Sequence, residues 1–125
     1  LATVVRSVVE EQPFLVHCTV GKDRTGVSIA LILAAAGVDE DAVVADYART
    51  AASLPATRNR QVVAWLRATH PEARHAVELA TASPAPVMRA LLRRLRAQHG
   101  SVEGYLSAAG VRDAELAELR RILTA

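Results

Sequence analysis

The sequence predicts an α/β fold in which helices dominate and about one strand is present, at residues 13–18. Three observations lead to this prediction: apolar residues recur at helical spacing along most of the chain, one short continuous apolar run interrupts them, and a glycine-containing loop joins that run to the next helix. The 125 residues allow one small domain at most. Since 51% of them are hydrophobic but only 3% aromatic, the core is expected to consist of Ala, Val and Leu.

The helices are predicted from apolar spacing and from capping residues. The first rests on five apolar residues at positions 1, 4, 5, 8 and 9, which share one helical face, and Gln12-Pro13 ends it. Asp39 is a suitable N-cap, and Gly37 a suitable residue to close the helix before it. The later predicted helices cover 24–36, 40–52, 57–69, 71–81, a segment around 88–95 that ends near residue 100, 101–109 and 113–123.

The stretch 53–86 contains four of the five prolines, at positions 55, 71, 84 and 86. This punctuation predicts short helices separated by turns. Two interpretations stay open for the stretch: a lid over a binding pocket, or a simple connector between helices.

A single strand needs partners for its backbone groups. The sequence offers no second convincing strand, so we expect a preceding N-terminal segment or a partner chain to complete a sheet. Residues 1–125 are therefore interpreted as the C-terminal portion of one domain, with the N-terminal part and most of the sheet absent from this sequence.

Composition excludes several classes of function. One Cys is too few for an intrachain disulfide or a cysteine-rich zinc site, and the His residues lack metal-ligand spacing, so no metal or cofactor is predicted. The net charge of +2 is too small to indicate a nucleic-acid partner. The longest apolar run, around 29–38, is too short for stable membrane insertion.

Charge is unevenly divided along the chain. Residues 1–56 carry four basic and seven acidic side chains, a net of −3, whereas residues 57–125 carry eleven basic and six acidic, a net of +5. Either the two halves attract each other, or the second half meets an anionic partner.

The chemistry concentrates in residues 17–26, which join the predicted strand to a helix. Backbone N–H groups of a tight loop and the positive end of a helix together form an anion site. The residues expected to surround a phosphate there are Thr19, Val20, Gly21, Lys22 and Asp23. Arg24 adds a planar fork for two phosphate oxygens. The same positive field lowers the pKa of Cys18, the only thiol in the chain, and makes it a nucleophile.

These residues predict a two-step phosphoryl transfer through a phosphocysteine. Thr25 donates a hydrogen bond to the Cys18 sulfur, and Asp23, the only carboxylate in the loop, is the candidate general acid. A purely structural Asp23 is the alternative, with the acid then supplied from outside this chain. His17 is expected to be buried and to orient the Cys18 backbone, and Gly26 to let the helix pack closely on its strand.

The loop resembles the Cys-x5-Arg signature of protein tyrosine phosphatases. More narrowly, residues 17–26 are similar to the HCxxGKDRTG form of the bacterial tyrosine/serine phosphatase family. Gly37-Val38 before an acidic helix with Asp46-Tyr47, and the segment 100–106, extend the resemblance over nearly the whole chain. No match is found to the family's N-terminal motif or to most of its sheet.

The resemblance implies a tyrosine-phosphatase-like domain with a central parallel sheet flanked by helices. It implies Cys18 as nucleophile, Arg24 as phosphate ligand and Asp23 as proposed general acid. The substrate is then a phosphorylated protein, on tyrosine and also on serine or threonine, or a phosphoinositide. The alternative function is a truncated, inactive module that binds phosphate. Because a reactive thiolate needs protection from oxidation, a cytoplasmic location is expected, with secretion left open.

Overall fold

The computed structural model describes residues 1–124, which form eight helices joined by short loops. The helices are α1 (Ala2–Glu10), α2 (Asp23–Ala36), α3 (Glu40–Ser53), α4 (Ala56–Thr69), α5 (Ala76–Thr81), α6 (Ala85–His99), α7 (Val102–Ala108) and α8 (Asp113–Thr124). The predicted helices therefore all exist, and most of their bounds agree to within a few residues. The exception is the segment 71–81, where only Ala76–Thr81 is helical because Pro71 starts a run of turns.

The predicted strand at 13–18 does not form. Residues 11–22 are irregular, and residues 1–124 contain no strand at all. A β-ladder requires a neighbouring backbone, and the described residues supply none beside this segment. Leu15 is 84% exposed as a result. The α/β prediction is thus confirmed in its helical part only, and completion of a sheet by other residues stays a prediction.

The core is built around α2, which packs against α3, α7 and α8. Asp39 caps α3 by accepting a hydrogen bond from the backbone N–H of Asp41, as its sequence position predicts. Gly37 ends α2 in a left-handed conformation, with φ at 95°. The fully buried large side chains are mostly aliphatic, as the composition predicts: Leu31, Met88, Leu92, Leu106, Leu119, Val5, Val43 and Val44.

Ion pairs link the acidic first half to the basic second half. Arg89 on α6 donates to Asp41 on α3 at 2.6 Å, and Arg96 pairs with Glu40. Arg6 on α1 also donates to the buried Glu115 on α8 at 2.9 Å, a pair of the opposite polarity, and Arg112 hydrogen bonds lower the pKa of that carboxyl to about 2. Of the two alternatives for the charge asymmetry, attraction between the halves is therefore realised in the structure.

Helices α4 and α5 form a hairpin that packs mainly on itself. Neither helix contains a buried residue. The Ser83 hydroxyl, just after α5, anchors the hairpin by donating to the Ala48 carbonyl and accepting from the Ala51 N–H of α3. A second polar contact, from Lys22, reaches the carbonyl oxygen of Leu79 on α5. The stretch 53–86 is thus lightly attached to the body and lies against the start of α2.

No helix within residues 1–124 has both the length and the apolar character needed to cross a membrane.

The start of α2 is fixed by a close approach between Gly26 and Tyr47 of α3. A Cβ added at Gly26 would lie 2.9 Å from a ring carbon of Tyr47, which is buried. The expectation that Gly26 packs against a strand is therefore wrong, since its neighbour is a helix. The absent side chain lets α3 come close to the first turn of α2 and so determines where the preceding loop lies.

We therefore expect Gly26→Ala to destabilise the protein by about 1–3 kcal/mol, because the buried Tyr47 ring must move to accommodate the methyl group. Denaturant unfolding of the full-length protein measures this change. Adding Tyr47→Leu to Gly26→Ala should cost less than the sum of the two single changes, since the smaller side chain relieves the contact. Strict additivity would contradict the account.

Candidate active site

The candidate site is the loop of residues 18–22 together with the first turn of α2. Gly21 adopts a left-handed conformation with φ at 78°, which a residue with a side chain rarely adopts. This turn directs the Gly21 N–H toward the Cys18 sulfur, to which it donates at 3.1 Å. The loop therefore folds back over its own cysteine, as the motif predicts.

Hydrogen-bond donors surround the sulfur of Cys18. They lower the pKa of the thiol from its ordinary value of 9.0 to about 6. The Thr25 hydroxyl contributes most, followed by the backbone N–H groups of Thr25 and Val20; partial burial opposes the change, and the Gly21 N–H adds the smallest lowering effect. A thiol with this pKa is largely ionised at neutral pH.

The Thr25 hydroxyl is buried and has no hydrogen-bond partner within residues 1–124. A buried hydroxyl without a hydrogen-bond partner destabilises the folded protein. We therefore expect it to form a hydrogen bond in another state of the site. Because this hydroxyl also has the largest influence on the Cys18 pKa, we expect it to donate to the sulfur once the thiolate is present.

Arg24 lies exposed on the first turn of α2, and one of its guanidinium nitrogens donates to the Thr19 hydroxyl at 3.0 Å. This hydrogen bond joins the first turn of α2 to the beginning of the loop, so the guanidinium lies beside the Thr19 side chain. Residues 1–124 supply no further hydrogen-bond acceptor to the guanidinium, so the rest of its fork is available to an anion.

Lys22 is almost entirely buried, with 4% of its surface exposed. Its ammonium donates to Oδ1 of Asp23 at 2.7 Å and to the carbonyl oxygen of Leu79 at 2.9 Å. The Lys22 ammonium, expected beside a phosphate, thus has two hydrogen-bond partners within the protein. Asp23 keeps 70% of its side chain exposed, so its carboxylate borders solvent at the site.

His17 is exposed, which contradicts the expectation that it is buried. The reason is that no layer of the described residues covers the segment before the loop. Its Nδ1 nevertheless lies 3.3 Å from the Cys18 carbonyl oxygen, a contact in which a protonated Nδ1 donates. The imidazole therefore touches the Cys18 backbone, as a supporting residue would.

Two features of the site have no signal in the sequence. The hydrogen bond from Lys22 to Leu79 joins residues that are 57 positions apart. The contact of Gly26 with Tyr47 depends on how α2 and α3 pack, which apolar spacing does not specify. Within residues 1–124, no cluster of three or more His, Cys, Asp or Glu side chains is arranged to hold a metal ion.

Comparison with known proteins identifies the family of the chain. The chain matches the model of the tyrosine phosphatase family over residues 1–125. It is 33% identical to a triple specificity protein phosphatase, PtpB, of Mycobacterium tuberculosis, in an alignment that covers 98% of this chain and 48% of that protein. It is 34% identical to a tyrosine-protein phosphatase of Nostoc commune, with 85% of this chain and 37% of that protein covered.

The chain thus spans about half the length, or less, of the curated relatives that it matches. The family match nevertheless covers the whole chain. This chain belongs to the tyrosine phosphatase family.

Proposed function

We propose that the protein is a phosphatase that hydrolyses phosphomonoesters through a phosphocysteine intermediate on Cys18. The observation that carries the proposal is the loop geometry, in which the Gly21 N–H donates to the Cys18 sulfur at 3.1 Å and Arg24 donates to Thr19 of the same loop. The donors near the sulfur also lower the pKa of Cys18 to about 6. A thiolate at neutral pH needs no separate base to attack phosphorus. Family membership supports the same reaction class.

In the first step, the Cys18 thiolate attacks phosphorus in line with the ester oxygen. The P–S bond forms as the P–O bond to the leaving group breaks, and the leaving oxygen takes a proton from Asp23. Backbone N–H groups of the loop and the Arg24 guanidinium hold the three equatorial oxygens as charge redistributes. The exposed Asp23 carboxyl is the group of the loop that is within reach of an incoming ester.

In the second step, water attacks phosphorus and the P–S bond breaks. The Asp23 carboxylate accepts the proton from water, and inorganic phosphate leaves. The sulfur departs as a thiolate, which the buried Thr25 hydroxyl stabilises by donating to it. Thr25 thus makes Cys18 both a ready nucleophile and a good leaving group.

We propose phosphotyrosine as the principal substrate, with phosphoserine, phosphothreonine or phosphoinositide as further ones. The similarity to a protein named as a triple specificity phosphatase supports the wider range. An ionised thiol is readily oxidised, which favours a cytoplasmic location.

We further propose that residues 1–125 form the C-terminal portion of the phosphatase domain, which a preceding segment or a partner chain completes with the rest of a parallel sheet. The exposed, irregular segment before Cys18 supports this, because its backbone groups lack a ladder. In such a domain, the lightly attached stretch 53–86 is a lid or a connector.

Hydrolysis of p-nitrophenyl phosphate by the full-length protein tests the function directly. We expect turnover by the natural protein and a rate near the uncatalysed one for Cys18→Ser, because the less acidic hydroxyl stays protonated. Retention of phosphate binding by Cys18→Ser would show that the loop remains folded. Equal hydrolysis by the two proteins would refute the phosphocysteine route, and binding without turnover by the natural protein would identify a phosphate-binding module.

Asp23→Asn tests the general acid, and Asn keeps the size of the side chain and its hydrogen bond to Lys22. We expect a loss in kcat of about 10²-fold or more with phenyl phosphate, whose leaving oxygen needs a proton. The loss should be much smaller with p-nitrophenyl phosphate, since nitrophenolate leaves without protonation. Equal losses on both substrates would show that the acid is another residue.

A further inference from the structure

A cleft of about 290 Å³ opens beside the candidate phosphate loop. Lys22 and Asp23 form its wall on the loop side, and Tyr47 of α3 contributes a second wall. Leu79 of α5 and Val87 of α6 form the opposite side. The cleft therefore lies where the α4–α5 hairpin meets the body of the protein.

The cleft borders the end of the candidate phosphate loop through Lys22 and Asp23. The Gly21 N–H donates to the Cys18 sulfur at 3.1 Å, and the next two residues along the chain, Lys22 and Asp23, line the cleft. The cleft therefore shares Asp23, the candidate general acid, with the proposed phosphate site.

Two apolar side chains of the cleft are unusually exposed. Leu79 is 73% and Val87 58% accessible, and both are among the few large hydrophobic residues that lie on the surface of residues 1–124. His75 and Glu78 supply polar groups at the same opening. An apolar patch rimmed by polar groups is typical of an interaction site.

The charge of the cleft favours a neutral occupant. Lys22 is the only Lys or Arg in its lining, and its ammonium already donates to Asp23 and to the Leu79 carbonyl. Asp23 and Glu78 add two carboxylates. A polyanionic inositol headgroup would meet these carboxylates with no free cation to compensate, whereas an uncharged apolar side chain would cover Leu79 and Val87.

The size and rigidity of the cleft fit one large side chain. Its volume lies near the lower end of the range for small-molecule sites, which is roughly 300–1,000 Å³. The outer wall is held in place by the buried Lys22, which ties the Leu79 carbonyl to the start of α2. Because this wall is already held in place, little conformational entropy is lost in ordering it when a ligand binds.

We propose that this cleft binds a large apolar side chain that flanks the phosphorylated residue of a protein substrate, and so selects among phosphoproteins. The proposal rests on the phosphatase function proposed above, and it assigns to Leu79 and Val87 the role of specificity-determining residues.

Binding of two phosphotyrosyl peptides to full-length Cys18→Ser protein tests the cleft without turnover. One peptide carries Leu on both sides of the phosphotyrosine, and the other carries Gly at the same positions. We expect the Leu peptide to bind about tenfold more tightly, because burial of even part of a Leu side chain has this effect. Fluorescence anisotropy gives both dissociation constants.

Adding Val87→Ser should reduce the preference for the Leu peptide to less than about twofold, with the Gly peptide unaffected, since Val87 contacts only the flanking residue. Leu79→Ser should act in the same way. Leu123→Ser is the matched control, because Leu123 is also an exposed apolar residue, 42% accessible, but does not line the cleft. The Leu123→Ser protein should keep the full preference for the Leu peptide.

Equal binding of the two peptides, or a preference that survives both Val87→Ser and Leu79→Ser, would overturn the proposal. A soluble short-chain phosphoinositide whose binding is weakened by Val87→Ser, with the peptide preference unchanged, would assign the cleft to a lipid headgroup and also refute it. If the Leu peptide binds more tightly but the natural protein fails to hydrolyse p-nitrophenyl phosphate, the proposed role of the cleft in peptide binding is retained and only the phosphatase function is refuted.

Discussion

The hydrogen bonds that converge on the Cys18 sulfur are the interaction on which the rest of the site depends. They require a chain reversal at Gly21, whose positive φ brings a backbone N–H to 3.1 Å from the sulfur. They also require Thr25 at the start of α2, since its hydroxyl has the largest effect on the Cys18 pKa. A loop that relaxed at either point would lose its thiolate and its anion site together, because the same N–H groups serve both.

Packing remote from the loop holds this arrangement in place. Gly26 allows Tyr47 to press against the first turn of α2, and the aliphatic core fixes α2 among α3, α7 and α8. Lys22 extends the constraint outward, because its buried ammonium links Asp23 to the carbonyl of Leu79 on an otherwise lightly attached hairpin. The Lys22 ammonium therefore contacts both the candidate acid and the outer wall of the cleft. A movement of α5 would displace this ammonium and so change its hydrogen bond to Asp23.

Local patterns in the sequence predict most of this structure, and long-range contacts account for what they miss. The helices follow from apolar spacing, Asp39 and Gly37, and the chemistry proposed for the loop rests on the spacing of Cys18, Arg24 and Thr25. The strand prediction at 13–18 is wrong for the described residues because a strand is defined by a neighbour, and an apolar run cannot reveal whether one is present. The hydrogen bond from Lys22 to the Leu79 carbonyl cannot be predicted from the sequence either, since no local pattern distinguishes a buried lysine from an exposed one.

The rate of alkylation of Cys18 by iodoacetamide as a function of pH tests the central claim most directly, because no other thiol is present in this sequence. Only the thiolate reacts, so the rate rises through the pKa and then levels off. We expect a midpoint near a pKa of about 6 for Cys18, and a midpoint displaced toward 9.0 in Thr25→Val, which removes the hydroxyl but keeps the shape of the side chain. A midpoint at the ordinary thiol value, unchanged by Thr25→Val, would contradict the central claim.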